Sequence, residues 1–423
     1  MFKYLCLLLL ATESVFSQTC NTIVTRQEIR TLSPSQLTKY LNAINQLKAS
    51  GSAYLQSCST HYNNVAQAHG VPAFFPWHRR YIRNYEMALQ AIDPSIIIPY
   101  WDWTIDSQAP EQSAVLSSSY FGGNGRSSDN CVVQGSFAGW NSTIPTTHCL
   151  KRQYSSGNKI SSFYSPEAIE AILSQSSTYD KVHTSIEGGP HGAVHNGIGG
   201  NNGDMAYMYS PNDPIFYAHH AFIDLLWNEW QMRNPSLANT YNGGSASSSD
   251  NMIPFNVPVS SVFNTKAPGF CYTYPRWNAV LPPVQPTPTQ PITMQVPPTS
   301  QAPQPISSQS NSFPTFTTPT FSAPTFTFPT FSPGSFLTRR QNSALNGILS
   351  LLNSITANVK QLTKISPIDR TTRHKIRTPA PLPDAFIAMN NLDSAQVRGD
   401  EKILAQLVET LNSLPNFIPS ADI

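Results

Sequence analysis

Charge is scarce in this chain. Only 12% of its 423 residues are Asp, Glu, Lys or Arg, and 26 basic against 24 acidic residues leave a formal net charge of +2. No extended basic surface can be built from that, which excludes binding of nucleic acid or acidic membranes by bulk electrostatics. Long apolar runs are also lacking. Beyond the N-terminus no stretch approaches the roughly 20 apolar residues that a membrane-crossing helix needs. Cysteine is sparse, with six residues in all, so the fold must rest on a packed core and not on a dense disulfide framework.

The N-terminus itself has Lys3, an apolar stretch from Tyr4 through Ala11, and then small and polar residues at Ser14, Ser17 and Gln18. A basic start, a short apolar core and a cleavage region predict a signal peptide over residues 1–17 and a secreted, soluble mature protein. Removal of Cys6 leaves Cys20, Cys58, Cys131, Cys149 and Cys271, an odd number for an oxidising compartment. Proximity along the chain suggests Cys131 with Cys149 and Cys20 with Cys58. Asn141-Ser142-Thr143 is an acceptor sequon of the kind found on exported surface loops.

Composition divides the rest. Residues 18–280 read as one globular, mainly helical domain with long loops. Helical apolar spacing is seen at Leu37, Leu41, Ile44 and Leu47 and again at Tyr81, Tyr85, Ala88 and Leu89. Residues 281–340 are rich in Pro, Thr, Ser and Gln and repeat Pro-Thr-Phe from Pro314, Pro319, Pro324 and Pro329, a composition that forms an extended linker and no core. The Arg339-Arg340 pair closes that segment; its simpler reading is a solvated pair in a loop, and its other reading is a processing site, with the tail a removable cover and cutting within residues 281–340 the activating step. Residues 341–423 return to helical spacing, at Leu345, Leu349, Leu352, Ile355, Val359 and Leu362 and then at Ile403, Leu407, Leu411 and Leu414. This small helical extension carries one histidine, His374, and no cysteine, and no chemistry is evident in it.

The histidines carry the information, because nine of the ten fall between positions 61 and 220. His61 and His69 are eight apart, about two helical turns, which predicts one helix with both on the same side. Gly70, Pro72 and Pro76 then break it. Pro76 suits the start of the next helix, placing His78 in its first turn. Three neutral imidazoles can thus converge on one metal ion.

A second group begins with His191 and His195, four apart and adjacent on one helical face. Asp213-Pro214 reads as a cap followed by proline at the first helical position, opening a helix that carries Phe216, His219, His220 and Asp224. His219 and His220 point about 100 degrees apart, so one of them joins the second site. His220 is the better choice, because Asp224 lies one turn on and can accept its other N–H, while Phe216, one turn earlier, can brace the ring. Sites made of imidazole alone suit copper, zinc, iron or nickel, and the chain has no HExxH motif that would mark a zinc peptidase.

Three stretches carry a resemblance to a known family: His-Gly-x-Pro-x-Phe-Phe-Pro-Trp-His-Arg around His69 and His78, His191-x3-His195, and Asp213-Pro-Ile-Phe-Tyr-Ala-His-His-Ala-Phe-Ile-Asp224. They resemble the type-3 copper family of tyrosinases, catechol oxidases and haemocyanins, over roughly residues 20–275. The resemblance implies a four-helix bundle in which three histidines hold each of two copper ions and dioxygen binds between them. Carried over residue by residue, His61, His69 and His78 are the first trio and His191, His195 and His220 the second. Trp77, Arg79, Trp101 and Asp102 also look like family positions, with core packing or a buried ion pair as the simpler account of each. Tyr272 and Tyr274 are similar to the tyrosine pair that closes the family's core.

The implied function is oxidation of catechols, or of monophenols after hydroxylation, to quinones with dioxygen, for pigment or for matrix crosslinking. Substrates are phenolic or catecholic small molecules or protein tyrosines. Glu187, four residues before His191, matches the position of a glutamate that orients a water for monophenol deprotonation; beside two cations it is expected to be ionised. Gly192 stands where some monophenol-hydroxylating members have asparagine, and Asn196 follows His195, so diphenol oxidation is the firmer expectation. Gln67 occupies the position from which some relatives link a cysteine to the second histidine, so no thioether is expected. Two other readings share the motifs: an oxygen carrier of haemocyanin type, usually built from repeated units, and a structural matrix protein with a vestigial copper domain, which would have lost a ligand.

Overall fold

A computed structural model describes residues 20–277, 375–413 and 419 of the chain. The signal segment, the Pro-Thr-Phe linker and the helical spacing between 345 and 362 lie outside the described residues. Architecture is mainly α, with a four-helix bundle at the centre and long loops around it.

Helix α1 (Pro34–Ala49) starts where the sequence can cap it: Ser33 and Gln36 exchange side-chain and backbone hydrogen bonds, and Pro34 occupies the first turn. Its apolar face, Leu37, Tyr40, Leu41, Ile44 and Leu47, is buried. Helix α2 (Ser52–Asn63) follows and is broken at Asn64 (φ −124°, ψ 35°), after which only a single turn, α3 (Val65–Ala68), forms. His61 and His69 therefore do not share one helix, contrary to the expectation from their spacing. Helix α4 (Phe74–Gln90) begins two residues before Pro76, which sits in the first turn, where a missing N–H costs no intrahelical bond.

On the other side of the bundle lie α5 (Pro166–Gln175) and α6 (Tyr179–Ile186). The wide turn Glu187–His191 carries α6 into α7 (Gly192–Gly199). Helix α8 (Ile215–Arg233) is buried on every side from Ile215 to Gln231, as a central helix must be. Asp213 accepts the Ile215 N–H with Oδ1 at 3.2 Å, close to the expected cap, but its carboxylate chiefly pairs with buried Arg152.

Strands are short two-residue pairings. Val24–Thr25 pairs in parallel with Tyr272–Thr273, joining the two ends of this domain. That pairing brings Cys20 beside Cys271. Cys20 bonds Cys271, with Cα atoms 5.4 Å apart, and Cys131 bonds Cys149. The suggested Cys20–Cys58 bridge does not form: Cys58 is buried on α2 and is the free thiol among the described residues.

The extension returns to this domain. Helices α9 (Asp384–Met389) and α10 (Ser394–Ser413) pack on it. Gln108 Oε1 accepts the Arg377 N–H at 2.6 Å, Ser162 Oγ donates to the Thr378 carbonyl at 3.0 Å, and Asp400 takes both Lys181 Nζ (3.0 Å) and Ser185 Oγ (3.1 Å).

Beneath the bundle is a buried charge cluster. Asp224 accepts from Arg79 Nε (2.5 Å), Tyr272 Oη (2.5 Å) and Tyr274 Oη (2.8 Å) and lies 3.4 Å from Arg26, which pairs with Glu86 at 2.7 Å. Arg79 also stacks over Trp227, 3.7 Å from the ring centre. Thus α4, α8, the first strand and the closing tyrosines meet at one carboxylate. Removing it leaves the buried Arg79 guanidinium without a carboxylate, while Arg26 keeps Glu86, so Asp224→Ala should lose about 3–5 kcal/mol of stability. A loss of less than a quarter of that, taken from urea unfolding, would contradict the assignment.

Candidate metal centre

Two histidine groups face each other across the bundle. One consists of His61 at the end of α2, His69 just after α3 and His78 on α4; the other consists of His191, His195, His219 and His220. Within each group the candidate ligand nitrogens lie within 4.8 Å of one another. The groups adjoin: the His78 and His220 rings are stacked 4.4 Å apart. All seven rings are at most 4% exposed.

Hydrogen bonds fix which nitrogen each ring offers. Nδ1–H of His61 donates to the Met208 carbonyl (2.7 Å), that of His78 to Phe74 (2.8 Å), that of His191 to Glu187 (3.1 Å) and that of His195 to Met205 (2.6 Å). A neutral imidazole has one N–H, so in these four the lone pair is on Nε2. Nε2 of His61, His78 and His191 is buried with no protein partner, an arrangement that costs free energy unless something outside the chain meets it. Burial also keeps the rings uncharged, lowering His61 to about 3 and His195 to about 4, and His69, His78, His191 and His220 well below their ordinary value.

The donor set fits metal. His195 and His220 bring their Nε2 atoms to 3.3 Å. Two nitrogens each about 2.0 Å from one ion at a tetrahedral angle lie about that far apart. His219 is different, because its Nδ1 accepts the Trp103 indole N–H at 3.1 Å. Its lone pair is thereby engaged and its proton is on Nε2, which cannot then coordinate.

Asp224 does not hold His220. Its oxygens are taken by Arg79, Arg26, Tyr272 and Tyr274, as described above, and His220 Nδ1 has no partner among the described residues. Spacing of one turn allowed the contact, but two buried guanidinium groups bind a carboxylate far more strongly than a neutral ring does. Phe216 does lie against His220, ring centres 4.1 Å apart, and touches His61 at 5.1 Å. Trp77 and Trp101 are fully buried core residues, and Asp102 is held by Thr104 and the Trp277 indole.

Glu187 is buried, and its Oε1 accepts the Gly70 N–H at 2.8 Å, tying the turn before His191 to the residue after His69. Burial alone pushes this carboxyl well above the usual carboxylate range, with the Gly70 bond opposing it. Asn196 is half-buried on α7, its amide donating to the Gly192 carbonyl at 2.9 Å.

Between the histidines is a cavity of about 10 Å³, at the threshold for one water. Phe386 and Asn390 of the extension help to line it. The extension, in which the sequence showed no chemistry, thus closes the site. It fits against glycines: a Cβ on Gly192 would lie 2.7 Å from Leu382 Cδ1 and 3.0 Å from Phe386 Cε1, and one on Gly188 would lie 2.8 Å from Val397. Gly70, at φ +64°, would clash with the Asn391 carbonyl. The linker and the Arg339-Arg340 pair were the sequence signals for a removable cover, but nothing marked Leu382, Phe386, Asn390 or Val397 as the residues that form it, since they are ordinary apolar and amide side chains far along the chain.

Residues 51–233 match the family model described as the common central domain of tyrosinase. The chain is 33% identical over 235 residues to the tyrosinase of Streptomyces glaucescens, covering 50% of this chain and 83% of that protein. It is 33% identical over 261 residues to the tyrosinase of Streptomyces antibioticus, covering 55% and 92%. Among solved structures, a polyphenol oxidase variant from Thermothelomyces thermophila aligns over 60% of this chain and 88% of that one, with a TM-score of 0.49 and 22% identity. The identity to the two Streptomyces tyrosinases, over most of their length, and the two buried histidine groups make this chain a member of the tyrosinase family of type-3 copper proteins, with two copper ions as its cofactor.

Proposed function

We propose that the chain is a secreted phenol oxidase, held in a closed form by its own C-terminal extension, that converts catechols to o-quinones with dioxygen. The observation that carries this reading is that His61, His69, His191 and His195, drawn from both histidine groups, line one small cavity, with the lone pairs of His61, His191 and His195 on Nε2. His61, His69 and His78 hold one copper and His191, His195 and His220 the other. When bound, the copper pair supplies the electron exchange between dioxygen and the phenol. Two catechols each give up two electrons and two protons, and one dioxygen takes all of them to become two waters.

The chain's own residues set what can enter and in what posture. Phe216, against both His61 and His220, limits ring movement at the floor of the site. Glu187 is the group placed to handle a monophenol's proton, but it is bonded to Gly70 and is not among the residues lining the cavity. Asn196 turns its amide to the helix backbone and Gly192 offers no side chain, which favours diphenol oxidation over monophenol hydroxylation. Export is supported by the two disulfides, which persist in oxidising compartments, and among the described residues no helix is long and apolar enough to cross a membrane.

An aromatic ring does not fit a water-sized cavity, so the extension must leave before a catechol enters. Cutting within residues 281–340 converts an intramolecular contact into a bimolecular one and lets the extension dissociate on dilution.

Metal analysis should give two copper ions per chain, and His78→Ala should bring that to about one while His219→Ala keeps two. Equal loss from both variants would overturn the ligand assignment. Oxygen uptake with catechol should consume one dioxygen per two catechols and rise about tenfold or more after linker cleavage or in Phe386→Ala, since each 1.4 kcal/mol removed from the closed form is a factor of ten. Reversible dioxygen binding without turnover in the cleaved protein would identify an oxygen carrier instead. Absence of copper binding would identify a matrix protein with a vestigial site.

A further inference from the structure

Asn390, at the end of α9, is 1% exposed and lines the cavity between the histidine groups. Its amide orientation is determined by its neighbour: Nδ2 donates to the Phe386 carbonyl at 2.9 Å, which only the nitrogen can do. The oxygen is therefore the free end, and Oδ1 is buried with no hydrogen-bond partner in the protein. A buried acceptor left unmet costs free energy, as does a buried unmet lone pair on each of three nearby imidazoles. Three acceptors of this kind, on Asn390, His61 and His191, line a space the size of one water and lack the same thing, a donor or a cation.

We infer that Asn390 Oδ1 accepts a hydrogen bond from a water molecule held at the metal pair, so that copper occupancy and docking of the extension strengthen each other. The inference rests on the ligand assignment above. Metal meets the imidazole lone pairs, and a water beside metal is a stronger donor than bulk water, so Asn390 is satisfied only when metal is present. Binding linkage is reciprocal: the docked extension must raise copper affinity by the same factor by which copper favours docking of the extension. The other cover residues differ in kind. Leu382 packs on Gly192 and contributes the same contact with or without metal.

The test uses the full chain, metal-free and loaded with Cu(II), and reads amide hydrogen exchange across α9 and α10. Loading should slow exchange in wild type by about tenfold or more, the worth of a hydrogen bond to a charge-polarised donor. Asn390→Leu and Asn390→Asp both lose the Nδ2 bond to Phe386 and differ in whether an acceptor remains. The leucine variant should show no slowing on loading, and the aspartate variant should keep it or exceed it. Leu382→Ala should exchange faster in both states by one factor and keep the full copper effect. A copper effect that survives in Asn390→Leu, or is absent from wild type or from Asn390→Asp, overturns the inference. Copper content measured on the same samples separates the two readings: fewer than two ions in wild type removes the ligand assignment and this inference with it, whereas two ions without the exchange pattern removes this inference alone.

Discussion

The rest of this structure depends on keeping six imidazoles buried, neutral and turned the right way. A buried ring with both nitrogens unmet is costly, and a ring with the wrong tautomer cannot bind metal. In four of the six rings the backbone resolves this by accepting Nδ1–H, from the carbonyls of Phe74, Glu187, Met205 and Met208. Two of those carbonyls lie one helical turn before their histidine. The other two belong to the loop between α7 and α8, which makes that loop part of the metal site although it supplies no ligand. Trp103 performs the opposite task, engaging the lone pair of His219 and keeping that ring from competing with its neighbour.

Asp224 shows how the same carboxylate can be read two ways. One turn after His220, it had the spacing of a residue that orients a metal-binding imidazole. In the fold it instead gathers Arg79 beside His78, Arg26 from the first strand, and Tyr272 and Tyr274 from the domain's end. It positions the site at one remove, by locking α4 to α8 so that His78 and His220 stack. Helical spacing alone cannot distinguish these roles, because the competing partners come from residues 26, 79, 272 and 274, which are distant in sequence.

The legible part of the site was the part carried by short-range spacing: which histidines group, and which helix bears His220. Local breaks were less so. His61 and His69 were assigned to one helix because eight residues fit two turns, whereas the chain turns at Asn64 and brings the rings together edge to face, 4.9 Å apart, from two segments. The Cys20–Cys271 bridge was invisible for the same reason as the Asp224 cluster, since it depends on a strand pairing that spans the whole domain.

The covering extension puts Gly192 in a different light. Beside the first histidine of the second trio, glycine looked like the loss of a proton-handling asparagine. In the closed form, a Cβ at that position would press on the side-chain ends of Leu382 and Phe386, and one at Gly188 on Val397, which would have to shift, whereas at Gly70 it would meet the Asn391 backbone carbonyl. A larger residue at 192 would require Leu382 and Phe386 to shift from their seats. Closing the site and keeping position 192 bare are thus coupled through the fit of Leu382 and Phe386.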